Sequence, residues 1–173
     1  MSDVSAAPRW KRPVSVLVVI HTPDLQVLLL ERASHPGYWQ SVTGSQEEGE
    51  SLAETARREV GEETGIVVAA NSTAIADSAS DTGSCYLLDW QQSSRFEIFA
   101  EWRHRYAPGV THNEEHVYSL EIPAPCPVTL APGEHLAYRW LPWQAAAAEC
   151  FSWSNRDAIL ALPERLRRTT PGR

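Results

Sequence analysis

Residues 44–66 read GSQEEGESLAETARREVGEETGI, and this stretch governs the reading of the whole chain. The run 51–64 has the marks of a helix. Ser51 or Glu50 can cap its start, where a carboxylate also suits the positive end of the helix dipole. Ala53, Ala56 and Val60 recur at spacings of three and four, giving one apolar stripe of small side chains that lets a sheet approach closely. Gly65 suits the left-handed residue that ends a helix. Glu59, Glu62 and Glu63 also lie three and four apart, so they share a face. At about 100° per residue that face sits a quarter to a third of a turn from the stripe. The helix can therefore bury one side and border a cleft with the other.

Clustered carboxylates repel, by roughly a few tenths of a kcal/mol per pair on an exposed helix. A solvated acidic face balanced by Arg57 and Arg58 is one account of them. A hard divalent cation is the other: Mg²⁺ or Mn²⁺ prefers oxygen ligands, relieves the repulsion, neutralises phosphate oxygens and acidifies a bound water.

The 173 residues are expected to form one domain, 1–173, with flexible tails at about 1–10 and 164–173. Apolar content of 43% and charged content of 21% are ordinary for a soluble globular protein. A net charge of −7 argues against nucleic acid or a membrane surface as partner, since both need a basic face. An anionic small-molecule substrate would then need local cations, and Lys11, Arg12, Arg32, Arg103 and Arg105 are the obvious ones. Cys85, Cys126 and Cys150 are odd in number and include no CxxC pair, which fits free thiols in a reducing cytoplasm. The start RWKRPVSVLVVI imitates a secretory leader. Its apolar run is only seven residues, HTPD follows, and no small-residue cleavage site appears, so it is read as a strand. No segment is long enough to span a membrane, and nothing in the sequence sets an oligomeric state.

Residues 14–20 and 26–31 are β-rich runs joined by Thr22-Pro23-Asp24, a hairpin. Ile66 to about Ala76 is expected as a strand, 77–84 as a loop, and 96–102, 116–122 and 135–141 as further strands. Pro142 should open a short helix through the alanine run 145–148, and Ser154 should cap a last helix carrying Ala158, Ile159 and Leu162. Strands on both sides of one helix, with helices after, predict a mixed α/β sheet between helices.

Gly44, Glu50, Arg58-Glu59-Val60, Glu62-Glu63 and Gly65-Ile66 fill every fixed position of the Nudix box, so the chain resembles the Nudix hydrolases. These enzymes act on a nucleoside diphosphate linked to another group. The resemblance implies the Nudix α/β/α sandwich and Mg²⁺ dependence, with Mn²⁺ able to substitute. It implies Glu59 and Glu63 as metal ligands, Glu62 facing metal or water, and Arg58 orienting the carboxylates.

A narrower resemblance runs through KRPVSVLVVI (11–20), YWQSVTGSQEEGE (38–50), FEIF (96–99), RHRYAPGVT (103–111), EHLAYRWL (134–141) and FSWSNRDAI (151–159). These blocks are similar to a bacterial branch of the family that removes pyrophosphate from 7,8-dihydroneopterin triphosphate in folate biosynthesis. Members also hydrolyse nucleoside triphosphates such as dATP, so a house-cleaning nucleotide pyrophosphatase is the alternative. A nucleotide-sensing module that does not cleave would have lost metal ligands, whereas Glu59, Glu62 and Glu63 are all present. The branch implies substrate contacts at Lys11, Arg32, Thr43, the segment Phe96, Glu97, Ile98 and Phe99, His135 and Ser152. It also implies a metal-binding, catalytic Glu134 outside the helix, for which Glu115 is the fallback. Trp39 is the tryptophan placed to stack on a substrate ring. The stretch 70–94 departs from the branch.

Overall fold

The computed structural model describes residues 10–69 and 85–169. The eight residues of β1 (Val14–His21) explain the architecture. They form a near-continuous apolar run, as a strand covered on both faces must. Side chains alternate along a strand, so this run feeds two cores. Val16, Val18 and Ile20 join Ala56 and Val60 of α1 (Leu52–Thr64) on one face. Leu17 and Val19 join residues of α2 (Trp143–Glu149) and α3 (Trp153–Thr169) on the other. The described elements thus make the expected sandwich of a mixed sheet between helices.

Within the sheet, β1 runs parallel to β6 (His112–Glu121), pairing Val14 with Glu114 through to His21 with Glu121. On its other side it pairs antiparallel with β4 (Val42–Ser45) and, at His21, with β2 (Gln26–Arg32). Beyond β2 lie β3 (Trp39–Gln40) and β7 (His135–Pro142); beyond β6 lies β5 (Tyr86–Glu97). The hairpin turn closes with the Leu25 amide donating to the Thr22 carbonyl at 2.9 Å.

The local rules hold best at α1. Ser51 is its N-cap, completing a reciprocal capping box with Glu54, and Gly65 ends it in the left-handed region at φ +74°. Pro142 opens α2 as expected. Four expectations need correction. Residues 66–69 do not form a strand: Thr64 Oγ1 takes the Ile66 amide at 3.1 Å, and Val68 turns into the core while Val67 is exposed. The rest of that expected strand, and the loop 77–84, lie outside the described residues. Residues 96–102 are only partly extended. β5 stops at Glu97 and a 3₁₀ helix occupies Ala100–Arg105, its three-residue turn setting the Phe99 and Trp102 rings edge to face. Ser152, not Ser154, caps α3, its Oγ accepting from the Asn155 amide at 3.2 Å. Trp39 is 5% exposed in the α2/α3 core under the Arg139 guanidinium, so it cannot stack on a substrate. Beyond these points, α3 continues through the basic segment to Thr169.

Gly65 carries two constraints at once. Its backbone is left-handed, and a Cβ there would lie 3.1 Å from Thr129 Cβ. Gly65→Ala should therefore lose about 1–2 kcal/mol of folding stability, read by urea denaturation, with activity per folded molecule retained.

Candidate active site

One edge of α1, the ends of β1, β2, β4, β6 and β7, and the segment after β5 enclose a cleft of about 1360 Å³. Its acidic wall is organised by Arg58. The guanidinium holds Glu50 through two bonds, Nε to Oε1 at 2.6 Å and Nη2 to Oε2 at 3.0 Å. It also donates to Glu59 at 2.8 Å, to Glu62 at 3.3 Å and to the Ser45 carbonyl at 3.0 Å. One planar cation thus fixes three carboxylates and ties the helix to β4. This contact holds the Glu50 carboxyl down at about 2.

Gly44 shapes the next layer. A Cβ at this position would fall 1.8 Å from the carboxyl carbon of Glu59, so only glycine lets that carboxylate lie against the strand. Burial pushes Glu59 up to about 7 despite its bond to Arg58. Glu63 is deeper, at 4% exposure, and burial raises its pKa as well.

His135 sits opposite, with Nε2 3.3 Å from Glu63 Oε2. Burial opposes its charge, but the Glu63 and Glu134 carboxylates outweigh that and raise its pKa. The approach completes no hydrogen bond: Glu63 Oε2 and both His135 ring nitrogens are buried without a partner. Glu134, on the exposed turn before β7, brings a third ligand atom, and the three groups lie within 4.8 Å of one another. A buried Glu63 oxygen and one buried His135 ring nitrogen, converging with the Glu134 carboxylate, fit a divalent cation, which would take one atom from each. Glu59 and Glu62 line the same wall.

Lys11, Arg32 and Arg105 line the same cleft, with Arg32 paired to His135 across the β2–β7 ladder. Partial desolvation, and then the neighbouring Arg105 charge, hold the Lys11 ammonium below its ordinary value. Arg32 stacks on Trp102 at 4.9 Å and Phe151 at 5.8 Å and reaches Gln40 Oε1 at 3.5 Å; among the described residues no carboxylate forms an ion pair with it. Arg103 behaves otherwise: it pairs with Glu97 and donates to the Ile98 carbonyl at 3.1 Å, bracing that segment instead of lining the cleft.

The residues named from the sequence as catalytic, metal-ligating or substrate-binding line this one cleft, while Trp39 and Arg103 do not. Those lining it include Thr43 on β4, Phe96, Glu97, Ile98 and Phe99 at the end of β5, and Ser152 before α3. Sequence reasoning missed the aromatic rim of Trp10, Trp102, Phe151 and Trp153, which replaces Trp39 as a source of ring surface. It gave no place to Asn113 either. Asn113 and Glu115 are 5% and 7% exposed and line the cleft floor, where burial raises the Glu115 pKa. The available signal was strand alternation, since Asn113, Glu115 and Val117 share one face of β6.

The Glu50–Arg58 contact should show in acid. A depressed carboxyl pKa contributes stability above its unfolded value, near 4.5, which is lost as pH falls toward about 2. Glu50→Gln should lower stability at pH 7 and flatten the decline between these pH values, measured by denaturation at a series of pH. Gly44→Ala tests the layer above. It should keep its fold but displace Glu59, weakening divalent-cation binding and kcat about 10-fold or more, read by Mn²⁺ titration and kinetics.

Comparison with known proteins identifies the family. Over 151 residues the chain is 48% identical to the dihydroneopterin triphosphate diphosphatase of Escherichia coli K12, covering 87% of this chain and 91% of that one. The Haemophilus influenzae diphosphatase of the same name is 38% identical over 170 residues, covering 96% and 99%. The solved structure of the E. coli dihydroneopterin triphosphate pyrophosphohydrolase superposes with a TM-score of 0.74, covering 87% of this chain and 94% of its own. The NUDIX domain profile matches residues 11–162, and the chain belongs to that family.

Proposed function

We propose that this protein is a Mg²⁺-dependent diphosphatase that converts 7,8-dihydroneopterin triphosphate to dihydroneopterin monophosphate and pyrophosphate. The observation that carries the reading is a cleft that gathers clustered carboxylates, Lys and Arg side chains and an aromatic rim, in a chain nearly half identical to diphosphatases of that name. Glu59, Glu63 and Glu134 would hold the Mg²⁺, with Mn²⁺ able to substitute, and His135 borders the site. Bound there, the ion supplies charge neutralisation of phosphate oxygens and a more acidic water.

The chain's own residues do the rest. Lys11, Arg32 and Arg105 grip the phosphates against the repulsion of a −7 protein. Arg58 keeps Glu59 and Glu62 oriented toward the cleft. Glu134 or Glu62 accepts the proton of the attacking water; the new bond is water oxygen to phosphorus, the broken one is phosphoanhydride, and pyrophosphate leaves. No described helix is long and apolar enough to cross a membrane, and three free thiols suit a reducing cytoplasm as the site of action.

The deciding experiment compares kcat/KM for dihydroneopterin triphosphate and dATP on the wild-type enzyme with Mg²⁺. The pterin should be preferred about 10-fold or more, and a preference for dATP of that size would overturn the substrate assignment. In the same assay Glu63→Gln should fold normally and lose about 10²-fold or more of kcat.

A further inference from the structure

The cleft floor holds a buried carboxylate that the reaction scheme leaves unused. Among the described residues the Glu115 carboxylate takes a single hydrogen bond, from Ser154 Oγ at 2.8 Å, although a carboxylate has about four acceptor positions. Among the described residues no Lys, Arg or His forms an ion pair with it. Two residues earlier on the same strand face, one end of the Asn113 amide holds Ser15 Oγ at 2.7 Å, while its buried Oδ1 has no partner. The neighbouring Asn155 is not spare. Its amide spends both ends on Ser41, accepting from the backbone at 2.7 Å and donating to Oγ at 2.8 Å. Across the β5–β6 ladder Phe96 lies directly opposite Asn113 and so shares its face. A half-buried ring therefore stands beside two under-used acceptors, at 5% and 7% exposure.

Buried acceptors of this kind call for paired N–H donors on a flat ligand. A 2-amino-4-oxo heterocycle offers them: one ring N–H and one amino N–H, parallel and on the same edge, matched to the two oxygens of a carboxylate. Pterin and guanine both carry this edge. Adenine instead presents an amino donor beside a ring-nitrogen acceptor, which a carboxylate repels. We propose that Glu115, flanked by Asn113, reads the heterocycle of the substrate by accepting the ring N–H and amino hydrogens of a 2-amino-4-oxo edge. The inference rests on the reading that this cleft binds a heterocyclic triphosphate, and it gives Glu115 a specificity role in place of a catalytic one.

The test uses purified wild-type protein and Glu115→Gln with three substrates: dihydroneopterin triphosphate, dGTP and dATP. Glutamine presents one acceptor and one donor, mismatched to the 2-amino-4-oxo edge and matched to adenine. The kcat/KM ratios of pterin to dATP and of dGTP to dATP should both fall, by about 30-fold or more, chiefly through KM. Glu115→Asp withdraws the carboxylate by one methylene. It should lower the same ratios less steeply, and it serves if the glutamine variant does not fold. A fall in the pterin ratio alone would assign the pocket to the pterin. Equal losses on all three substrates, or unchanged ratios, would overturn the proposal in favour of a catalytic or purely structural Glu115. If the wild-type enzyme prefers dATP over the pterin, the functional reading fails, while the dGTP-to-dATP ratio still decides the role of Glu115.

Discussion

The site depends on one side chain that never needs to meet the substrate. Arg58 receives three carboxylates and a backbone carbonyl, and without it Glu50, Glu59 and Glu62 would repel one another at the edge of a helix. Its planar fork sets angles as well as charge, which a lysine at the same place would not do. The clamp reaches from the helix to the Ser45 carbonyl of β4, next to Gly44, the residue whose missing side chain gives Glu59 its room. Position, charge and close approach are thus fixed together by residues adjacent in the fold.

An acidic protein that binds a strongly anionic substrate has to reverse its field locally. The cleft does so by placing Lys11, Arg32 and Arg105 in the same space as the α1 and β7 carboxylates, with Arg32 steered by the faces of Trp102 and Phe151. A cation on the carboxylates, together with these three side chains, would present positive charge to phosphate oxygens.

What was legible in the sequence follows from the range of the forces involved. α1 was readable to its ends because its stripe, its capping box and its terminal glycine are all local. β1 was readable because an apolar run bounded by polar residues has few other uses. The segment from Ile66 misled because its β-branched residues serve a capping turn and pack on the core from an irregular segment. Trp39 and Ser154 misled for another reason. Each has the chemistry expected of it, but tertiary packing sends Trp39 into the core and Ser154 to Glu115. Glu115 was legible only as a fallback carboxylate; its burial and its tie to Ser154 arise from tertiary packing, once β1, β5 and α3 close around it.

The parallel pairing of β1 with β6 has a consequence for how the chain is made. Val14 finds its partner at Glu114, a hundred residues later, and β1 is buried on both faces once it does. During synthesis the most apolar segment of the protein therefore leaves the ribosome long before the strand that covers its edge. The β1–β2 hairpin, the β1–β4 pairing and one face of α1 are available to shelter it meanwhile. Contacts this distant in sequence slow folding and prolong the exposure of sticky surface. The strand that anchors the finished enzyme is also the segment most exposed to aggregation while the nascent chain waits for its C-terminal half.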